Sequence, residues 1–257
     1  MRLKDKVAII AGAGQSDPDV VGNGRATALT FAREGAKLML ANRSEPSLEE
    51  TARQIRAEGH TVETTLADIT NEADCRELIS ETKDAFGQID ILHNNVGSGI
   101  IEGDTTEIDL SEWRASLDRN LTGAMLLSKH ALPSMRAQQA GCIIHTSSIA
   151  SIGAYPLIAY KVAKAALNEF CRWLAYENGP YGIRCNSLML GLMDTPTALA
   201  CINVPLVHPT MRFAASATFY PVLATWAIPG TQPTQPFSWP PTKALMSLAP
   251  PFLWMAD

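Results

Sequence analysis

Hydrophobic and polar residues follow two recurring patterns along the first three quarters of the chain. Short apolar runs with few interruptions predict strands, because a strand covered on both faces has no polar side. Longer segments with apolar residues three and four apart predict amphipathic helices. The predicted strands cover 6–12, 36–42, 61–67, 89–95, 142–148 and 183–190, and the predicted helices cover 23–34, 46–58, 71–86, 109–137 and 158–178.

This order of elements predicts the fold class. Strands that alternate with helices form a parallel sheet with helices on both faces. We therefore expect an α/β protein with a three-layer, Rossmann-like, doubly wound parallel sheet in one domain, residues 1–196. Residues 197–257 have a different character, with frequent proline, no helical or strand periodicity and three charged side chains, Arg212, Lys243 and Asp257.

The composition of this tail leaves two hypotheses open. Charge disappears just after a well-formed segment while proline and tryptophan become frequent, which fits a frame shift from about residue 200 or 210, or a divergent end. A native proline-rich segment that covers an active site or docks a partner fits the same composition.

Composition and charge exclude several classes of function. A net charge of −5 without a basic cluster does not fit a nucleic-acid or membrane-surface protein. The N-terminal apolar run is too short for a signal peptide, and prolines break the longest uncharged stretch, 213–242, so we expect no membrane span and a cytoplasmic location. The five cysteines form no CxxC pair and are expected to be reduced thiols. His93, His130 and His145 lack metal-ligand spacing, so we expect no metal site.

Four glycines after the first predicted strand raise the question of a nucleotide site. A strand that ends in a glycine-rich turn and opens a helix presents backbone N–H groups to a pyrophosphate. Gly12 suits the tight turn after the strand, and Gly22 and Gly24 suit the start of the helix. Gly14 and Gly22 are separated by an unusually long link, so a surface loop of turn-forming residues fits this stretch as well.

The tip of the second predicted strand bears on the choice of cofactor. In dinucleotide-binding folds the residue at this point meets the adenine ribose, and a carboxylate there binds the 2′-hydroxyl. This chain has Asn42, Arg43 and Ser44 instead. An amide beside a guanidinium suits a 2′-phosphate, which favours NADP(H), with NAD(H) as the alternative. A solvated arginine before a helix cap at Ser44 accounts for the same residues without a ligand.

The strongest chemical signal is a tyrosine and a lysine four residues apart at the start of the last predicted helix. Tyr160 and Lys164 therefore project from one helix face. A phenol has a pKa of about 10, and a neighbouring ammonium group lowers it, which makes the tyrosine a usable proton donor or acceptor. Ser148, at the end of the preceding strand, can donate a hydrogen bond to a carbonyl or alkoxide oxygen.

Seven stretches, taken in chain order, are similar to motifs of the short-chain dehydrogenase/reductase family. They are the glycine turn 12–24, Ala67-Asp68, NNVG at 94–97, Asn120 in RNLTG, Ser148, YKVAK at 160–164 and PYGIRCNSLMLGLMDTP at 180–196. They span about three quarters of the chain. The resemblance implies an NAD(P)(H)-dependent oxidoreductase that interconverts a small-molecule secondary alcohol and a ketone.

The resemblance also implies roles for four catalytic residues. Tyr160 would be the general acid and base, and Lys164 would lower the pKa of its phenol and hold the nicotinamide ribose. Ser148 would polarise the substrate oxygen, with Ser147 as an alternative donor. Asn120 would bend the long central helix and anchor a water in a proton relay to Lys164.

Further residues are implied to contact the cofactor. Asp68 would meet the adenine, and Thr195 would approach the carboxamide. Ile69, Asn95 and Gly97 would also contact the cofactor. The remaining cofactor residues are Gly12, Gly22, Gly24, Asn42, Arg43, Tyr160 and Lys164. Ordinary capping of helices or strands is the alternative role for Asn95 and Asn120. Tyr155 and Met193 are expected to line the substrate pocket.

The chain departs from the family pattern at several points. The glycine loop carries about six extra residues, the interval from Ser148 to Tyr160 is twelve residues, and Val96 and Leu190 replace the usual alanine and proline. The atypical tail leaves a second hypothesis, a protein that binds cofactor with weak or no catalysis. The resemblance further implies a homodimer or homotetramer paired through the helices at 109–137 and 158–178.

Overall fold

The computed structural model describes residues 1–14, 21–99, 105–153, 157–191, 193 and 195. The chain divides into two units, Met1–Ala217 and Thr218–Asp257. All of the described residues belong to the first unit. The predictions about the extra residues of the glycine loop, about Tyr155 and about the whole tail, 197–257, fall outside the described residues. Within the described part, no helix is both long and apolar enough to cross a membrane.

A single parallel sheet organises the described residues, as predicted. Its strands lie in the order β3-β2-β1-β4-β5-β6. Their bounds are β1 Val7–Ala11, β2 Lys37–Asn42, β3 Val62–Leu66, β4 Ile91–Asn94, β5 Gly141–Ser148 and β6 Ile183–Leu190. The chain moves outward from β1 in one direction and then returns to β4 to move outward in the other. This confirms the doubly wound, Rossmann-like α/β fold.

Both faces of the sheet are buried, which accounts for the continuous apolar runs. In β1, Ile9 and Ala11 belong to one hydrophobic core, and Ala8 and Ile10 belong to the other. All four residues are completely buried. Successive side chains of a strand point to opposite faces, so a central strand of this fold requires apolar residues at every position.

The helices divide between these two cores. Helices α1 and α2 contribute to the core on one face, and α3, α5 and α6 contribute to the core on the other. Their bounds are α1 Asn23–Arg33, α2 Glu45–Ala57, α3 Glu72–Phe86, α4 Leu110–Leu117, α5 Gly123–Gln138 and α6 Ile158–Asn178. Asn71 caps α3 by accepting a hydrogen bond from Ala73 N, whereas the Ser44 side chain makes no capping hydrogen bond to α2.

The helix predicted at 109–137 is interrupted in the structure. A π-helical turn, Asp118–Thr122, separates α4 from α5. Gly123 N donates to Asp118 O, the five-residue spacing that defines this turn. Asn120 lies within the turn and is 1% exposed, so its polar side chain enters the interior at the point where the family resemblance implied a bend in this helix.

Candidate active site

The candidate site lies at the carboxyl edge of the sheet, where β1 and β4 are neighbours. Chain order reverses between these two strands, and such switch points are where open α/β sheets bind ligands. Ala11 pairs with Asn94 at the ends of the two strands. The glycine turn follows the first, and Asn95 to Gly97 follow the second, so two of the predicted motifs meet at one edge.

Gly12 and Gly24 are in direct contact across the turn. Gly12 has φ +81°, which favours glycine, and a Cβ added to Gly24 would lie 1.9 Å from Gly12 O. The start of α1 therefore packs against the end of β1 at a distance that only glycine permits. Gly24 thus lies in the first turn of α1, at the helix start predicted from the sequence. Gly22 is the N-cap residue of α1.

Gly14 forms a second close contact, which the sequence analysis did not assign to the cofactor site. A Cβ at this position would lie 1.9 Å from Asn42 Nδ2 and 2.5 Å from Ser47 Oγ. The glycine turn thus touches both the tip of β2 and the first turn of α2. The four-glycine pattern in the sequence pointed to Gly14, but it did not reveal the contacts of Gly14 with Asn42 and Ser47.

A buried arginine, Arg25, also supports the turn. It is 5% exposed, and its Nε donates to Thr51 Oγ1 at 2.9 Å. Thr51 Oγ1 in turn donates to Ala13 O at 2.9 Å. Sequence reasoning missed both residues. Arg25 was overlooked because a charged residue near a helix start is usually solvent-exposed.

Arg43 and Asp68, two predicted cofactor residues, form an ion pair. Arg43 Nη1 lies 3.6 Å from Asp68 Oδ2, and the Arg43 side chain is 69% exposed. Burial acts to raise the pKa of Asp68, but hydrogen bonds from the Thr70 amide and hydroxyl, together with Arg43, outweigh it and hold that pKa below its usual value. Asp68 is therefore a carboxylate at neutral pH.

Ile69, the next predicted cofactor residue, has its side chain in the hydrophobic core, whereas Asp68 is partly exposed. Ile69 is 3% exposed and belongs to the hydrophobic core. A Cβ at Gly123 would lie 2.6 Å from Ile69 Cδ1, so the isoleucine side chain fills the space beneath the start of α5. Any contact from Ile69 to a ligand would come from its main chain.

Lys164 is the most deeply buried charged residue of the site. It is 2% exposed, and its Nζ lies 5.6 Å from the centre of the Tyr160 ring. Nζ donates to Thr146 O at 2.7 Å. Burial lowers the pKa of Lys164 to about 8, which keeps the ammonium form in the majority at neutral pH.

A short polar chain links this lysine to the glycine turn. Thr146 Oγ1 donates to Asn95 Oδ1 at 3.3 Å, and Asn95 Nδ2 donates to Gly12 O at 3.5 Å. Thr146 also provides the carbonyl that binds Lys164. The structure therefore brings together Gly12, Asn95 and Lys164, which are far apart in the sequence, through a threonine that was not predicted.

Asn120 and Gly97 complete the surroundings of Lys164. A Cβ at Gly97 would lie 2.6 Å from Lys164 Nζ and 2.8 Å from Asn120 Oδ1. The Asn120 amide donates to Ser98 O and Ser116 O, both at 3.0 Å, and its Oδ1 accepts from Ser98 N at 3.1 Å. The asparagine thus joins the π turn to the segment after β4, and not merely to its own helix.

Ser148 and Ser147 point in different directions at the end of β5. Ser147 is 2% exposed, and its Oγ donates to Lys164 O at 3.3 Å. Ser148 is half-buried, and its Oγ accepts a hydrogen bond from Ala150 N at 3.1 Å. Because Ser148 Oγ is an acceptor here, its own O–H remains directed elsewhere, which favours Ser148 over Ser147 as the donor.

The last predicted site residues follow β6. Thr195 is 9% exposed and Met193 is half-buried. The carboxamide contact of Thr195 and the pocket-lining role of Met193 stay predictions.

Three potential metal ligands meet elsewhere in the core. The ligand atoms of His145, Cys171 and Cys185 all lie within 4.8 Å of one another. Structural zinc takes four ligands, and the described residues supply three here. Contact with the Cys171 thiol and burial raise the pKa of Cys185, which disfavours the thiolate that a metal needs. The absence of a metal site stays a prediction.

Comparison with protein families gives a match to the short chain dehydrogenase model over residues 6–201. An uncharacterised oxidoreductase of Staphylococcus saprophyticus is 35% identical over 198 residues, which cover 76% of this chain and 82% of that protein.

Solved structures give a similar result. Levodione reductase is 33% identical with a TM-score of 0.74, over 78% of this chain and 77% of that one. An NAD⁺-bound xylitol dehydrogenase is 29% identical with a TM-score of 0.70, over 75% and 72% of the two chains.

Proposed function

Because the chain belongs to the short-chain dehydrogenase family and is therefore an oxidoreductase, we propose that it interconverts a secondary alcohol and a ketone with NAD(P)(H). Tyr160 is the general acid in reduction and the general base in oxidation. Lys164, Ser148 and Asn120 assist it. The substrate is a small molecule.

The buried ammonium group of Lys164 is the observation that carries this proposal. Burial of a charge is costly, and no carboxylate of the described residues pairs with this one. The ammonium group lies 5.6 Å from the centre of the Tyr160 ring, and a cation at such a position stabilises the phenolate form of a tyrosine. Lys164 thereby makes Tyr160 a stronger acid in reduction and holds its anion in oxidation.

Ser148 contributes a directed hydrogen bond. The Ala150 N–H occupies one lone pair of Ser148 Oγ and so fixes the hydroxyl at the end of β5. The Ser148 O–H then donates to the substrate oxygen, on which negative charge develops during hydride addition. Tyr160 delivers the proton to the same oxygen.

The glycine turn fits a dinucleotide cofactor. A Cβ at Gly24, Gly14 or Gly97 would lie 2.6 Å or less from neighbouring protein atoms, so close packing at this edge of the sheet requires glycine at all three positions. Backbone N–H groups at a helix start bind a pyrophosphate, here those of α1 after Gly22. The bound nicotinamide would supply or accept the hydride. Lys164 would hold its ribose.

We assign the cofactor preference to NADP(H), with NAD(H) as the alternative. Arg43 is largely exposed at the tip of β2, beside Asn42, and its guanidinium matches a phosphate in shape and charge. Its partner Asp68 lies at 3.6 Å, a spacing that leaves N–H groups of Arg43 for a ligand. The NAD⁺-bound xylitol dehydrogenase is the reason to keep the alternative.

The test is turnover of a panel of small ketones with NADPH and with NADH, for the full chain and for Tyr160→Phe. We expect the substitution to lower kcat about a hundredfold or more, because proton transfer is lost. Binding of NADPH, measured by calorimetry, remains largely intact. A fully active Tyr160→Phe protein contradicts the mechanism, and NADPH binding without turnover by the unsubstituted chain supports the catalytically weak alternative.

We also propose that the protein forms a homodimer through α5 and α6. Apolar side chains are exposed on these helices, with Met125 at 37%, Trp173 at 57% and Tyr176 at 78%. Leu121, Met125 and Phe170 line a shallow hollow between them. Such surfaces are typical of protein interfaces. Light scattering gives the mass, and a monomer at micromolar concentration contradicts the proposal.

A further inference from the structure

Lys161 lies one residue after Tyr160 and reaches the segment that follows Ser148. Its Nζ donates to Ala150 O at 3.1 Å and also to Gly153 O. The side chain is half-buried, and it lies on the helix that carries Tyr160 and Lys164. A single side chain of α6 thus binds two carbonyl groups of the connection from β5.

The same connection holds Ser148 in place. After β5 the chain forms a single 3₁₀ turn, Ile149–Ser151, for which Ser148 is the N-cap residue. Ala150 N donates to Ser148 Oγ at 3.1 Å, and Ser151 Oγ donates to Ser148 O at 2.6 Å. The orientation of the Ser148 hydroxyl therefore depends on where Ala150 and Ser151 lie.

A second residue of α6 binds this turn independently. Asn168 Nδ2 donates to Ser151 Oγ at 2.9 Å. Lys161 binds the turn through Ala150, and Asn168 binds it through Ser151, seven residues or about two helical turns apart on α6. The rigid helix that carries Tyr160 is therefore tied to both residues that contact Ser148.

We propose that Lys161 is a positioning residue for catalysis: it fixes the 3₁₀ turn against α6 and so sets the direction of the Ser148 hydroxyl relative to Tyr160, with Asn168 as a second support. This inference rests on the proposed function. A loop free to move relative to α6 would present the Ser148 donor at variable angles, and hydrogen bonds weaken steeply as they lose alignment. Lys161 itself donates to protein carbonyls and transfers no proton.

The test uses the full chain with Lys161→Met, which keeps the aliphatic stem, and with Asn168→Ala as a second, milder variant. We expect Lys161→Met to lower kcat about tenfold, less than the ~100-fold typical of deleting an oxyanion donor. KM for NADPH should stay within about twofold, because the hydrogen bonds of Lys161 go to the connection after β5. Asn168→Ala should lower kcat in the same direction by about threefold.

Hydrogen exchange provides a measurement that does not depend on activity. Lys161→Met should increase the exchange rate of the Ala150 and Gly153 amides about tenfold, with the core strands unchanged. Arg172→Met is the matched control, since Arg172 is an exposed residue of α6 paired with Glu169. It should change neither kcat nor exchange.

The two measurements separate the proposals. An unsubstituted chain that reduces no ketone contradicts the proposed function, while the exchange comparison still decides whether Lys161 fixes the turn. Unchanged exchange in Lys161→Met overturns the positioning role, and so does unchanged kcat in an active protein. Should Lys161→Met fail to fold, Asn168→Ala carries the same decision through kcat and through exchange at Ala150.

Discussion

The ammonium group of Lys164 donates a 2.7 Å hydrogen bond to the carbonyl oxygen of Thr146 at the centre of the candidate site. Burial lowers the pKa of this lysine from 10.5 to about 8. Below pH 8 the folded and unfolded chains are both protonated, and the cost of the buried charge is fully present. As pH rises from 8 toward 10.5 the folded state releases its proton first, and the cost disappears.

We therefore expect Lys164→Met to stabilise the cofactor-free protein at pH 7 by about 1 to 3 kcal/mol while it abolishes turnover. This gain should shrink as pH approaches 10. Denaturant unfolding at pH 7 and pH 10 measures both values. Lys129→Met, at an exposed lysine paired with Glu72, is the control and should have little effect at either pH. A gain of equal size at both pH values would contradict this account of the buried charge.

Gly24→Ala should damage the cofactor site. The new Cβ would lie 1.9 Å from Gly12 O, and two backbone segments would have to separate. We expect NADPH affinity to fall at least tenfold and the free energy of unfolding to fall by about 1 to 3 kcal/mol. Gly179→Ala is the control, because, its chain neighbours aside, none of the described residues comes within 4 Å of its added Cβ. Calorimetric titration checks both, and normal NADPH affinity in Gly24→Ala would argue against a phosphate role for the turn.

Arg43→Ala should change cofactor preference. Loss of the guanidinium removes a partner for the 2′-phosphate, so KM for NADPH should rise about tenfold, and KM for NADH should change less than twofold. Arg53→Ala, at an exposed arginine of α2 paired with Glu50, should leave both KM values unchanged. Equal increases for the two cofactors would assign Arg43 a general rather than a phosphate-specific role.

His145 should limit stability in acid. Burial lowers its pKa to about 3, whereas the unfolded chain has the ordinary value of 6.5. Below pH 6.5 the unfolded state therefore binds a proton at His145, whereas the folded state does not bind it until the pH approaches 3. The free energy of unfolding consequently falls as pH decreases from 6.5 toward 3. His145→Asn keeps a polar partner for Ser128. Between pH 6.5 and 4 it should reduce the slope of unfolding free energy against pH by an amount that corresponds to at most one bound proton. An unchanged slope in unfolding measurements would exclude His145 as the source.

The sheet could be predicted from the sequence because strands that are buried on both faces have continuous apolar runs. In a chain of alternating strands and helices, a short continuous apolar run such as β1 indicates a strand with a core on each side. The motif residues were also informative, since Gly12, Asn95 and Lys164 do meet in one crevice through Thr146. Their order along the chain was sufficient to identify the family.

The contacts between elements were not readable in the same way. The choice between Ser147 and Ser148 depends on which face of β5 meets α6, and the interval to Tyr160 does not reveal it. Charged side chains are usually exposed, so neither the burial of Arg25 nor the hydrogen bond from Lys161 to Ala150 was expected from the sequence. These details arise from packing between distant segments, which periodicity along one segment does not encode.

The π-helical turn at Asp118–Thr122 has a consequence for how this region tolerates change in length. A π turn holds one more residue than the α turn it replaces, so α4 and α5 are out of phase by about 100°. Removing one residue there would restore an uninterrupted helix, yet it would also swing α4 around the axis of α5 and withdraw the Asn120 amide from Ser98. The count of residues between Leu117 and Gly123 is therefore as much a part of the site as the identity of any side chain in it.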